Sequence, residues 1–178
     1  MNNWNQEQKE RQERLCASNA QINELCKRLL EFGGELVYLS NTEEPLLNTL
    51  VAKGSFVTAA VRRAQKTIRE QDVIQSVAKQ HSVLPRRYLV SYGYALIDSG
   101  DIKIWIRHFW TYDKADHCVV ECSNLHVSKY FGLYLNDAEL ASVMTKRKVH
   151  SQQQPPIKPK TSKVPIKLDN HQVTVLHK

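Results

Sequence analysis

Residues 91–122 read SYGYALIDSGDIKIWIRHFWTYDKADHCVVEC, and this stretch decides the fold. Three runs, 87–97, 102–112 and 117–122, are typical of strands, and alternate residues of the second run place one nearly apolar set on a single face. The four residues between the first two runs, DSGD at 98–101, have the composition of a hairpin turn. The pattern therefore predicts three consecutive antiparallel strands.

The second and third strands each carry a polar residue where apolar neighbours dominate. Alternate side chains of a strand share a face, which places His108 with Trp110 on the apolar face. Glu121 is flanked by valines and cysteine in the third strand, where a buried carboxylate needs a partner. His108 or Arg107 is the natural partner. A core histidine bonded to a backbone carbonyl would give His108 the same position.

Helical periodicity accounts for most of the remaining core. Residues 5–32 are expected to form one long amphipathic helix that ends at a glycine pair. A short helix with Pro45 in its first turn, a second long helix over about 55–80 and a short helix in 136–144 follow. We therefore expect an α+β fold, with an antiparallel sheet of three or four strands packed on helices.

Charge and composition divide the chain into a helical segment (1–34), an α+β core (35–145) and a tail (146–178). The tail holds eight Lys or Arg, one acid and four of the six prolines, so it carries the whole formal charge of +7. This composition predicts a disordered basic tail that attracts nucleic acid or an acidic surface, or only improves solubility. The N-terminal helix is expected to pack on the core, or else to bind a protein partner.

Several functional classes are disfavoured by the composition. No apolar run is long enough to span a membrane, and residues 1–14 lack the apolar core of a signal peptide. We therefore expect a cytoplasmic protein, or one that is exported by a route that leaves no N-terminal mark. His117, Cys118, Cys122 and His126 are close in sequence, but the two cysteines would lie about 13 Å apart on a strand. We therefore predict no metal site and no cofactor, with the cysteines reduced.

Five short motifs lie within or near the predicted strands. They are SFVTA at 55–59, GYA at 93–95, HFW at 108–110, ECS at 121–123 and YFG at 130–132. Together they resemble the motifs of small bacterial and phage proteins of the papain-like, transglutaminase-like type. In that pattern a cysteine stands at the first position of the helix that begins near 55.

The resemblance implies acyl-transfer or hydrolase chemistry. Ser55 would be the nucleophile or its vestige at a helix N-terminus, His108 the general base and Glu121 the group that orients it. The helix N-terminus cannot ionise a serine hydroxyl, so Ser55 would depend on His108 as a true base. Aromatic residues would line the substrate groove: Tyr92, Tyr94 and Trp110.

Two alternatives remain at this stage. Ser55 after a glycine is also an ordinary helix N-cap, which needs no catalytic role. The whole chain is also compatible with a non-enzymatic interaction module that binds a protein or nucleic acid through the N-terminal helix and the basic tail.

Overall fold

The structure is a computed structural model of the chain. It describes residues 3–39, 44, 46–68, 70–84, 86–98, 100 and 102–148. No helix in these ranges is long and apolar enough to cross a membrane. Most of the segment 146–178 lies outside the described residues, so its disorder and its nucleic-acid partner stay predictions.

A mixed sheet lies at the centre of the described part. Its seven strands are β1 (Leu36–Val37), β2 (Ser55–Phe56), β3 (Ala60–Ile68), β4 (Tyr88–Asp98), β5 (Lys103–Asp113), β6 (Cys118–Ser123) and β7 (Val127–Tyr134). Six strands lie in the order β2-β7-β4-β5-β6-β3, while β1 pairs with β5. The pairs β3–β6 and β1–β5 are parallel and the others are antiparallel. The three strands of the quoted stretch are confirmed, but the sheet is larger than expected and is not purely antiparallel.

Five helices accompany the sheet in the described residues. They are α1 (Asn3–Ser18), α2 (Ala20–Glu31), α3 (Leu47–Lys53), α4 (Glu70–Val83) and α5 (Asp137–Lys148). The fold class is therefore α+β with helices at the N-terminus, as the sequence predicted.

The expected single helix over 5–32 is in fact two helices. Asn19 adopts an extended conformation, and its side-chain oxygen accepts hydrogen bonds from the backbone N–H groups of Gln21 and Ile22 at 2.9 and 3.1 Å. These two bonds satisfy donors that have no partner within the helix, so Asn19 ends α1 and starts α2.

The predicted helix over 55–80 is wrong. Residues 55–56 and 60–68 are strands, and only Glu70–Val83 is helical. Val61 and Arg62 pair in register with Val119 and Val120 of β6. The backbone of β6 gains a hydrogen-bonded neighbour in this way, and that long-range pairing outweighs the local helix propensity of the segment. Ser55 consequently does not lie at a helix N-terminus.

The helices and the sheet share one large hydrophobic core. We call the side of the sheet that takes part in it the helix-covered face; its buried side chains include Tyr92, Tyr94, Trp105, Phe109 and Phe131. The apolar stripe of α2 (Leu25, Cys26 and Leu29) is buried in the same core. That stripe therefore packs on its own domain, which agrees with the expectation that the N-terminal helix packs on the core.

Candidate functional site

The sequence motifs meet in the middle of the sheet. Across four adjacent strands, Ser55 pairs with Gly132, Gly132 with Gly93, and Gly93 with His108. Paired residues project to the same face, which we call the cleft face. Neighbouring strands lie about 4.8 Å apart, so three intervals separate the Cα atoms of Ser55 and His108 by about 14 Å. The structure does not bring the predicted nucleophile within hydrogen-bonding distance of the predicted base.

Two of the motif glycines are explained by close packing of the strands. A Cβ atom on Gly93 would lie 2.1 Å from the carbonyl oxygen of Phe131, and one on Gly132 would lie 2.3 Å from that of Tyr92. The same Cβ on Gly132 would also lie 2.7 Å from the indole ring of Trp110. Both positions therefore require glycine, because only glycine lets β4 and β7 approach this closely and lets Trp110 extend over β7.

His108 and Glu121 form a buried pair on the cleft face. His108 Nε2 lies 2.9 Å from Glu121 Oε2, and their side chains are 0 % and 1 % exposed. The same carboxylate accepts a hydrogen bond from the hydroxyl of Tyr130 at 2.7 Å and another from the backbone N–H of Ser123 at 2.7 Å. Glu121 thus has His108 rather than Arg107 as its side-chain partner across the strands.

The electrostatics of this cluster keep the carboxyl group of Glu121 ionised. Burial alone would raise its pKa, but the interactions with His108, Tyr130 and the Ser123 N–H group outweigh burial and lower the pKa to about 2. Burial and the neighbouring carboxylate raise the pKa of Tyr130, which stays a neutral donor. These buried groups bond to one another around the carboxylate of Glu121, and we call them the closed cluster. Such a network is suited to stabilising the packing of strands at the centre of the sheet.

The three aromatic residues expected to line one groove lie on different faces. Tyr92 and Tyr94 are fully buried on the helix-covered face, where both hydroxyls donate to the carboxylate of Glu44. The Tyr94 bond measures 2.6 Å. Burial is the largest of the effects that raise the pKa of both tyrosines. Trp110 belongs to the cleft face, so the predicted groove of these three residues does not form.

Trp110 nevertheless lines a cleft of about 280 Å³ on its own face, which we call the Trp110 cleft. Ser91 and Trp110 are cross-strand partners there, and they are 0 % and 1 % exposed. Neither Ser91 Oγ nor Trp110 Nε1 has a hydrogen-bond partner among the described residues. Other residues of the lining come from α3, β2, the segment after it, β5 and β7: Lys53, Ser55, Val57, Thr58, Tyr112 and Tyr134.

The cleft and the buried pair are neighbours in the sheet. The ring of Trp110 stacks on that of His108 at 6.4 Å between centroids, and it contacts the ring of Tyr130 at 5.0 Å. The closed cluster therefore supports the wall of the cleft through Trp110. Strand alternation alone places Trp110 and His108 on one face, as the sequence predicted, but only the register of β4 with β5 places Ser91 beside Trp110.

A second ionic cluster holds the edge strand β3 to the rest of the sheet. Asp113 is fully buried and accepts from Arg62 Nη2 at 2.9 Å and from Arg87 Nη2 at 2.8 Å. The hydrogen bond from Arg87 is the main cause that lowers the pKa of Asp113 to about 2. Among the described residues, no group of three or more His, Cys, Asp or Glu side chains is arranged to hold a metal ion.

Comparison with known proteins adds no relative to this picture. No family model, no curated protein and no solved structure matches the chain. The resemblance to papain-like proteins therefore rests on the five short motifs alone.

Proposed function

We propose that this protein is a non-enzymatic binding module whose ligand occupies the Trp110 cleft. The observation that carries the proposal is the pair of buried polar groups, Ser91 Oγ and Trp110 Nε1, without a protein partner. Leaving such a group unpaired costs about 1–3 kcal/mol, and folded proteins rarely tolerate it without a reason. A bound ligand that accepts hydrogen bonds from these groups would remove the penalty.

The hydrolase or transferase interpretation has less support from the geometry. The accepting atom of a general base has to lie about 2.6–3.2 Å from the atom that carries the proton, or one water molecule away. The strand register separates the Cα atoms of Ser55 and His108 by roughly 14 Å. The base is also fully buried and hydrogen-bonded to Glu121. These features favour a structural role for His108 and Glu121.

Hydrolysis of p-nitrophenyl acetate tests the absence of acyl-transfer chemistry. We expect wild-type protein and the Ser55→Ala variant to show the same multiple-turnover rate, since Ser55 has no base. A Ser55→Cys variant should turn over no faster than Thr58→Cys, which places a thiol on the same cleft. A rate that depends on Ser55, or that only Ser55→Cys creates, would restore the hydrolase interpretation.

The binding function is tested with phenylacetamide, a neutral probe that combines an apolar ring with a hydrogen-bond acceptor. In ¹H–¹⁵N NMR titrations we expect shifts at Ser91, Trp110 and Gly132, which line the cleft. The Ser55→Trp variant fills the cleft edge and should abolish these shifts. Ser128→Trp, an exposed serine on β7 outside the cleft, is the matched control and should preserve them. Equal binding by both variants would contradict the assignment of the site.

A further inference from the structure

The lining of the Trp110 cleft contains two side chains that can only donate hydrogen bonds, the indole Nε1–H group of Trp110 and the ammonium group of Lys53. The hydroxyls of Ser55, Ser91 and Tyr112 can each donate one hydrogen bond and can also accept. A ligand that satisfies the buried pair therefore has to present an acceptor atom to Trp110 Nε1, and an acceptor atom can satisfy Ser91 Oγ as well.

The charges of the lining select the charge of the ligand. Lys53 is the charged residue of the lining, and the lining contains no Asp or Glu. A cationic ligand would leave water without finding a counter-charge, which is strongly unfavourable. An anionic ligand would find an ammonium group at Lys53 and hydrogen-bond donors at Ser91 and Trp110, which belong to the same lining.

The size of the cleft and its single lysine restrict the anion further. A volume of about 280 Å³ lies just below the usual range for small-molecule sites, which is about 300–1,000 Å³. A phosphate monoester carries a charge of about −1.5 to −2 at neutral pH, more than one lysine balances. A carboxylate carries a single charge and two oxygens that accept hydrogen bonds in one plane.

Aromatic rings surround the remaining space. Trp110 and Tyr112 follow each other on one face of β5, and the ring of Tyr112 lies 5.4 Å from that of Tyr134. Such rings favour contact with the apolar body of a ligand, in particular a flat one.

We infer that the cleft binds a small monocarboxylate with an aromatic or similarly flat apolar body. This inference rests on the proposed function and defines its ligand class. The carboxylate would accept from Trp110 Nε1 and Ser91 Oγ, or lie between these donors and Lys53, while the apolar body contacts Tyr112 and Tyr134.

Three probes that share a phenyl ring and differ in charge test the inference: phenylacetate, phenylacetamide and phenethylamine. Titrations at pH 7 follow the indole N–H resonance of Trp110, assigned with the Trp110→Phe variant. We expect phenylacetate to bind at least tenfold more tightly than phenylacetamide and to shift this resonance downfield, and phenethylamine to bind most weakly.

The lysine provides a second measurement that does not disturb the core. Lys53→Gln should reduce the affinity for phenylacetate to that for phenylacetamide and leave the latter unchanged. Lys27→Gln, an exposed lysine of α2, is the matched control and should leave both affinities unchanged. A preference for phenylacetate that survives Lys53→Gln would contradict the inference.

The outcomes separate the inference from the proposed function. Equal affinities for phenylacetate and phenylacetamide would overturn the carboxylate ligand but leave the cleft as a binding site. Failure of all three probes to shift Trp110, Ser91 or Gly132 at millimolar concentration would overturn both.

Discussion

The same strands form both faces of the sheet, but the buried polar groups of the two faces differ in whether they have a hydrogen-bond partner. On the helix-covered face, the polar atoms of Tyr92 and Tyr94 are buried and bonded to Glu44. On the cleft face, a closed cluster around Glu121 lies next to two buried polar groups, at Ser91 and Trp110, that have no partner among the described residues.

Under the proposed function, this contrast assigns the ligand to the cleft face and stability to the helix-covered face. A face whose polar groups are paired within the protein contributes to stability, because nothing in it requires a ligand. Buried polar groups that are unpaired and lie beside a cavity can form hydrogen bonds with a ligand, and these bonds would stabilise the complex. The contrast therefore predicts that substitutions on the cleft face divide into those that change stability and those that change binding.

The largest effect is expected when the closed cluster loses its acceptor. Glu121→Leu leaves His108, the hydroxyl of Tyr130 and the N–H group of Ser123 buried without their partner, and we expect a loss of about 3–5 kcal/mol in the free energy of unfolding. The double variant His108→Leu/Glu121→Leu should recover part of it, because the buried imidazole that lost its partner is also removed, while the Tyr130 hydroxyl and the Ser123 N–H group remain unpaired. Urea denaturation measures both values.

The matched control replaces an exposed glutamate by leucine. Glu24→Leu on α2 alters an exposed carboxylate and should change the free energy of unfolding by less than about 0.5 kcal/mol. A loss below about 1 kcal/mol for Glu121→Leu would show that the two faces do not differ as described.

A somewhat smaller effect is expected from pH. Because the folded pKa of Glu121 is lowered from 4.5 to about 2, its contribution is complete above the unfolded value and is lost as the pH falls from about 5 to 2. A shift of this size corresponds to about 3 kcal/mol. Asp113, lowered from 3.8 to about 2, acts in the same direction.

Denaturation curves between pH 7 and pH 2 measure this dependence. The Glu121→Gln variant should show a shallower decline over the same interval, and Asp113→Asn should remove a separate part of it. If the decline of Glu121→Gln matches that of wild type, Glu121 is not held as a carboxylate by its neighbours.

The smallest effect, and the one most specific to the cleft, concerns two buried serines. Ser91→Ala removes an unpaired hydroxyl and should leave stability unchanged or raise it by up to about 1 kcal/mol, while weakening phenylacetate binding. Ser123→Ala removes a hydroxyl that accepts from the N–H group of Leu125 at 3.2 Å, and it should lower stability by about 1 kcal/mol without changing binding. Equal losses of stability would remove the distinction between paired and unpaired groups.

Part of the fold could be read from local patterns. Alternation and the DSGD turn placed three strands within one or two residues of β4, β5 and β6, because period and turn chemistry act over a few residues. The end of α1 was also encoded locally, since Asn19 is a typical capping residue, but the continuous stripe around it favoured one helix.

The segment after Gly54 could not be read in the same way. AVRRAQKTI at 60–68 contains several good helix formers, and what makes it a strand is a partner, β6, more than fifty residues away. The formation of the cleft also depends on long-range strand pairing. Ser91 and Trp110 become neighbours through the pairing of β4 with β5, and the Ser55 end of the cleft joins them only because β7 lies between β2 and β4.

The sequence by itself determined which side chains share a face of each strand, because a period of two is a property of the extended chain. It therefore placed His108 with Trp110. The tertiary structure decided which strands are neighbours and in what register, because these depend on close approach at Gly93 and Gly132 and on long-range burial. That decision joined His108 to Glu121, separated both from Ser55, and left Ser91 and Trp110 beside a cleft.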